Sequence, residues 1–131
     1  HDLRRDPSGR CATLATSALI HGKHLHGGMH VDLIGAFRPE MCEADGACFS
    51  RPLVFVDTYA GAMEEAGDLL QAIAGGHIQA DAVAGDLAAL CQNKHAGRGD
   101  ASDAITLFKS VGAALEDLAA AQLVFEKWQQ E

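Results

Sequence analysis

Two groups of side chains in this sequence have types and spacings suited to chemistry. The first is His21, His24, His26 and His30, with Asp32 close behind. Imidazoles close along a chain hold zinc or nickel when their rings converge. The spacing fits no standard ligand template, and a polar turn leading into a strand accounts for it equally, so no metal site is assigned. The second group is three short segments of small or polar residues: Ala15-Thr16-Ser17, Gly35-Ala36-Phe37-Arg38 and Lys109-Ser110-Val111-Gly112. Each ends a strand-like run. Glycine in such a place lets a flat ring or a phosphate approach the backbone. The third segment also opens a long amphipathic stretch, where a hydroxyl and a glycine at a helix start offer unpaired N–H groups to a ligand. Turn chemistry explains any one of the three. Their recurrence directs attention to the strand ends, where open α/β sheets bind ligands.

The remaining reactive side chains have plainer readings. Cys48 and Cys91 have no partner base nearby in the sequence and read as packing residues. Glu64, Glu65 and Asp68 fall on a predicted helix or at its end, where a solvated face is the usual reading and the orienting of a ligand or loop by one of them the alternative. No Gly-x-Gly-x-x-Gly and no Walker loop is present, and Gly97-Arg98-Gly99 lies in a polar loop that follows no strand.

The hydrophobic pattern supplies the elements that must position these groups. Pro52-Leu-Val-Phe-Val-Asp57 is almost wholly apolar, as strands buried on both faces are. With Cys11–Ser17, Met29–Ala36 and Ile105–Phe108 it makes about four strand candidates. Helices are predicted over 60–70, capped by Asp57-Thr58, and over 80–91, where Val83, Leu87 and Leu90 keep a helical spacing. Residues 1–10, with Pro7 and Gly9, read as a loose lead-in. A final helix over about 110–130 puts Val111, Ala114, Leu115, Leu118, Phe125 and Trp128 near one face. Strands separated by helices or long connections predict an α/β protein with a parallel sheet, short of the roughly six strands of a complete doubly wound fold.

Composition narrows the classes. The 131 residues, 48% of them hydrophobic, suit one domain with a real core. Eighteen acidic against 10 basic residues give a formal charge of −8, which works against a general nucleic-acid surface. No apolar run is long enough to span a bilayer. No secretion signal is visible, although the chain begins with His1 and so leaves room for a preceding segment. The four cysteines, Cys11, Cys42, Cys48 and Cys91, are irregularly spaced, and reduced thiols in a cytoplasmic protein are the expectation.

An ordered series of landmarks runs from about Cys11 to Trp128. It passes through Ala15-Thr16-Ser17, Gly28-Met29-His30-Val31, Ile34-Gly35-Ala36, and Arg38-Pro39-Glu40 with Glu43 and Asp45. It continues through Val54-Phe-Val-Asp57, Glu65-Ala-Gly-Asp68-Leu69 and Gly97-Arg98, and ends in the tail Asp103-Ala-Ile-Thr-Leu-Phe-Lys-Ser-Val-Gly. In this series the sequence resembles the ornithine cyclodeaminase/mu-crystallin family. The resemblance implies the C-terminal part of an NAD(P)-binding Rossmann-like domain across 1–131, with the final helix returning toward a substrate and dimerisation domain outside this chain. It implies an oxidoreductase that uses NAD or NADP on amino or imino acids, as an imine or ketimine reductase or an amino-acid dehydrogenase, and forms a homodimer. The alternative it leaves open is a non-catalytic protein that binds NAD(P)H or a small ligand. Thr16, Ile34, Gly35, Ala36, Ser110 and Gly112 match cofactor-lining positions, and Phe37 and Arg38 stand beside the substrate. Phe37 occupies the place of a catalytic aspartate in cyclodeaminases, which argues against ornithine cyclodeamination. None of the family's catalytic residues is then expected within this chain, and the isolated chain is expected to be inactive.

Overall fold

The computed structural model describes residues 8–130; most of the predicted lead-in, residues 1–7, lies outside them. Five strands form one sheet: β1 (Ser8–Cys11), β2 (His30–Leu33), β3 (Leu53–Val56), β4 (Gly85–Asp86) and β5 (Thr106–Lys109). Their order is β1-β2-β5-β3-β4, and every pairing is parallel. The last strand thus occupies the centre. Val31, Leu33, Val54, Val56 and Leu107 are fully buried, as expected of a parallel sheet covered on both faces. Burial of each such side chain stabilises the fold by about 1.5–3 kcal/mol.

The coverings differ from the predicted ones in informative ways. The helix expected over 60–70 is two helices, α1 (Tyr59–Glu65) and α2 (Gly67–Ala74), broken at Ala66. A Cβ on Gly67 would stand 2.2 Å from the Met41 carbonyl oxygen and 2.3 Å from that of Arg38. The Gly67 N–H donates to the Ala36 carbonyl at 2.9 Å. The break lets α2 back directly onto the loop that follows β2. Thr58 caps α1 by accepting from the Gly61 N–H, so the predicted cap holds.

The helix expected over 80–91 is instead a 3-10 turn at Ala80–Ala82, then β4, then a short helix α3 (Leu87–Cys91). The spacing of Val83, Leu87 and Leu90 is helical, but Asp86 acts as an N-cap, accepting from the Ala89 N–H at 2.8 Å, and so marks a start inside the segment. Of the strand predicted over 11–17 only Cys11 is paired, and Ser8–Arg10 join it from the expected lead-in.

The final helix, α4 (Ala114–Trp128), begins a turn later than predicted and has no buried residue. Leu115, Leu118, Leu123, Val124, Phe125 and Trp128 are each more than half exposed. All four cysteines are free thiols: Cys11 and Cys48 are buried, Cys42 is half-buried and Cys91 is exposed on α3. Burial pushes the Cys11 thiol up to about 11 and raises those of Cys42 and Cys48 as well.

Candidate functional site

Because every strand runs the same way, the carboxyl ends gather on one edge. Cys11 is in register with Leu33, Leu33 with Lys109, and Lys109 with Val56. The ladder continues one residue further: Ile34 N–H donates to Cys11 O at 2.8 Å, Ser110 N–H to Leu33 O at 2.9 Å and Asp57 N–H to Lys109 O at 3.2 Å. The segments after β2 and β5 therefore meet, with Asp57 beside them, while the first strand reaches this ladder at Cys11 and not at Ala15-Thr16-Ser17.

The turn after β2 is the most constrained part of the edge. Gly35 N–H donates to Glu43 Oε2 at 2.8 Å, and its carbonyl accepts from Lys109 Nζ. A Cβ at Gly35 would lie 2.2 Å from Thr13 O and 2.4 Å from Glu43 Oε1, so only glycine fits. Ala36 follows with φ +52°, in the left-handed region that alanine rarely adopts. The turn leaves Ile34 43% and Phe37 39% exposed while Gly35 and Ala36 are buried. Arg38 places its guanidinium carbon 5.8 Å from the Phe37 ring centre. A cavity of about 300 Å³ opens beside them, lined by Leu14, Thr16, Phe37, Arg38, Glu40 and Met41. Thr16, Phe37 and Arg38 thus share one hollow.

Beneath this turn lies a layer of enclosed charge. Glu43, Asp68 and Lys109 are at most 1% exposed. Glu43 accepts from the N–H groups of Thr13 and Gly35, joining the turns after β1 and β2. Asp68, in the first turn of α2, accepts at Oδ1 from the N–H groups of Glu43 at 2.5 Å and Ala44 at 3.0 Å. Its Oδ2 has no hydrogen-bond donor but faces Lys109 Nζ at 3.5 Å, a Coulombic contact. Lys109 Nζ also donates to Ser110 O at 3.1 Å. Burial raises the Asp68 carboxyl above its ordinary value, against the Ala44 N–H and the Lys109 charge; burial likewise lowers the Lys109 ammonium, against Asp68 and Glu43. The expected solvated face at Asp68 is thereby corrected, since its carboxylate is part of this layer.

The turn after β5 is also occupied from within. Asp57 Oδ2 accepts from Ser110 Oγ at 3.0 Å and from the N–H groups of Val111 and Gly112, each at 2.8 Å. The N–H groups that the sequence seemed to offer to a ligand are thus held by Asp57, which takes the place an anion would have. What Ser110 and Gly112 contribute is shape. Gly112 sits at φ +90° with nothing within 4 Å of the site of a Cβ, so it leaves the edge bare at that point.

The histidines do not converge. His21 Nδ1 pairs with Asp45 Oδ2 at 2.9 Å, and His30 Nδ1 bonds Thr106 Oγ1 at 2.8 Å at the opposite end of the sheet. Burial would raise the Asp45 carboxyl, but the Gly22 N–H and His21 hold it below its ordinary value. Among the described residues no group of three or more His, Cys, Asp or Glu side chains is arranged to hold a metal.

The sequence named Glu43 only as a landmark, Asp68 as a landmark and a helix carboxylate, and Lys109 only as part of a join. The signal available was the pairing of each carboxylate with small neighbours, as in Ala66-Gly67-Asp68, which permits close packing.

A parallel α/β sheet with its turns gathered at the carboxyl edge defines a Rossmann-like domain. The sequence model of the ornithine cyclodeaminase/mu-crystallin family matches residues 11–131, and the chain belongs to that family. It is 40% identical over 117 residues to the Delta(1)-pyrroline-2-carboxylate reductase of Colwellia psychrerythraea, covering 89% of this chain and 37% of that protein. It is 34% identical over 119 residues to the ketimine reductase mu-crystallin of Rattus norvegicus, covering 88% of this chain and 34% of that one. The fold superposes with a TM-score of 0.91 on the Thermococcus litoralis Delta(1)-pyrroline-2-carboxylate reductase in complex with NADH and L-proline, at 28% identity over 98% of this chain and 39% of that structure. The chain therefore spans little more than a third of the length of these relatives.

Proposed function

We propose that this chain is the C-terminal part of the cofactor domain of an NAD(P)-dependent oxidoreductase that reduces imino acids or oxidises the corresponding amino acids. The observation that carries the reading is the apolar floor of Ile34 and Phe37, left open at the carboxyl edge of an all-parallel sheet and backed by a fixed ionic layer. The residues fit a nicotinamide. Ile34 and Phe37 give an apolar surface, the buried Gly35 and Ala36 set the turn that presents it, and the bare backbone at Gly112 allows close approach. Thr16 adds a hydroxyl at the cavity wall. When bound, such a cofactor donates or accepts a hydride at its ring, and the protein supplies orientation and electrostatics. Phe37 excludes water and holds no proton. Arg38 brings a cation to the cavity, suited to the carboxylate of an amino or imino acid.

The names and ligands of the relatives support the reading in both cofactor and substrate class. The bare face of α4 suits packing against a substrate and dimerisation domain, in a cytoplasmic homodimer. The full-length protein is expected to bind NADH or NADPH and to oxidise it in the presence of a cyclic imine, and the isolated chain to be inactive. Absence of dinucleotide binding by the full-length protein overturns the proposal. A second reading, a non-catalytic holder of NAD(P)H or a small ligand, is favoured by one feature: Phe37 puts a phenyl ring where a proton carrier would stand. Binding without cofactor oxidation across a set of imines would select it.

A further inference from the structure

We propose that Lys109 is a positioning residue for the candidate cofactor floor: its ammonium holds the Gly35 carbonyl and so fixes the left-handed turn at Ala36 that presents Ile34 and Phe37. The inference rests on the reading that a nicotinamide occupies the carboxyl edge.

Three observations carry it. First, a fully enclosed lysine is a costly way to fill space, since an apolar side chain of similar volume serves packing as well or better. The ammonium therefore calls for a role that only a donor can fill, and its hydrogen bonds go to two strand-end carbonyls, those of Gly35 and Ser110. Those carbonyls belong to the two turns that frame the floor. Second, Gly35 is held on both sides by ionisable groups, its N–H by Glu43 and its carbonyl by Lys109. Third, the next residue adopts a conformation that persists only where its surroundings over-determine it. Ala36 has φ +52°, and its carbonyl is held in turn by the Gly67 N–H. Glu43, Asp68 and Lys109 thus form a clamp with one purpose at its tip, and none of the three reaches the surface where a ligand would lie.

The clamp can be opened while Glu43 keeps both of its N–H donors, those of Thr13 and Gly35. Both N–H bonds to Asp68 end on Oδ1, which an asparagine carbonyl reproduces, and methionine follows the lysine stem. The double variant Asp68→Asn/Lys109→Met therefore removes one negative and one positive charge together. In the full-length protein it is expected to fold and to bind NADH within about threefold of wild type, while kcat for imine reduction falls about ten- to a hundredfold at a nearly constant imine KM, as a small misplacement of reacting groups would cause. An unchanged kcat overturns the inference. Should the double variant not fold, Ala36→Gly loosens the same turn and relieves its left-handed strain; a kcat lowered about tenfold supports the inference, and an unchanged one overturns it. Wild-type protein run in parallel separates the two claims. If it neither binds NADH nor turns over an imine, the proposed function itself fails; if it does both, the variants judge Lys109 alone.

Discussion

The two ends of the central strand pair are held by cations in contrasting ways. At the amino end of β2 and β5, Arg98 donates to Gly28 O at 2.6 Å, to Met29 O at 3.1 Å and to Thr106 Oγ1 at 3.1 Å. It reaches in from a loop, is half-buried, and bonds carbonyls and a hydroxyl. At the carboxyl end Lys109 is wholly enclosed and is balanced by buried carboxylates. Arg98 ties down an edge at low cost because its charge stays near water. Lys109 carries a desolvation penalty that stability alone does not reward. Among the described residues such a layer lies at the carboxyl edge, and it marks that edge as one where backbone placement matters.

The sharpest way to break this contrast is Lys109→Met by itself. Two buried carboxylates then lose their cation, and the expected destabilisation is about 3–5 kcal/mol, read from chemical denaturation of the full-length protein. A loss no greater than that of an ordinary surface substitution would mean that the layer is not charged. Next in size is Gly35→Ala. The new methyl meets Thr13 O and Glu43 Oε1, both held in place, so a cost of about 1–3 kcal/mol is expected together with loss of activity. Arg98→Ala should cost about 1–2 kcal/mol, because charge-assisted bonds to two carbonyls are lost, but kcat of the folded protein should stay near wild type. A fall in kcat comparable with that at Lys109 would erase the distinction between the two edges.

The smallest effect is expected from pH. Burial holds His30 below its ordinary value of 6.5. The unfolded chain therefore takes up this proton first, and stability falls as pH drops through about 6.5 toward the folded value, below which no more is lost. The loss should amount to less than about 1 kcal/mol in melting curves, given the ring's partial exposure. It should disappear from the pH dependence of a His30→Asn variant.

What the sequence disclosed followed from local pattern. The continuous apolar run of β3, the cap at Thr58 and the gathering of strand-end turns all depend on neighbours along the chain. The unequal treatment of the two edges does not. Asp68 looked like a solvated helix residue because Glu64 and Glu65 precede it; its cation, Lys109, arrives from the last strand of the sheet. The N–H groups after Lys109 looked free because their acceptor, Asp57, belongs to another strand. A buried polar network is assembled by the sheet order, which puts β5, the last strand along the chain, in the central slot. The helix misassigned over 80–91 is the converse case, a local spacing overruled by a strand of two residues.

The cysteines give the molecule a practical asymmetry. Thiolate is the reactive form, and burial keeps Cys11 and Cys48 both protonated and covered, with Cys42 also pushed toward the thiol. Cys91 is exposed at the end of α3. Within this part of the protein a maleimide dye would therefore react fastest at Cys91, and would report on the domain without entering its core.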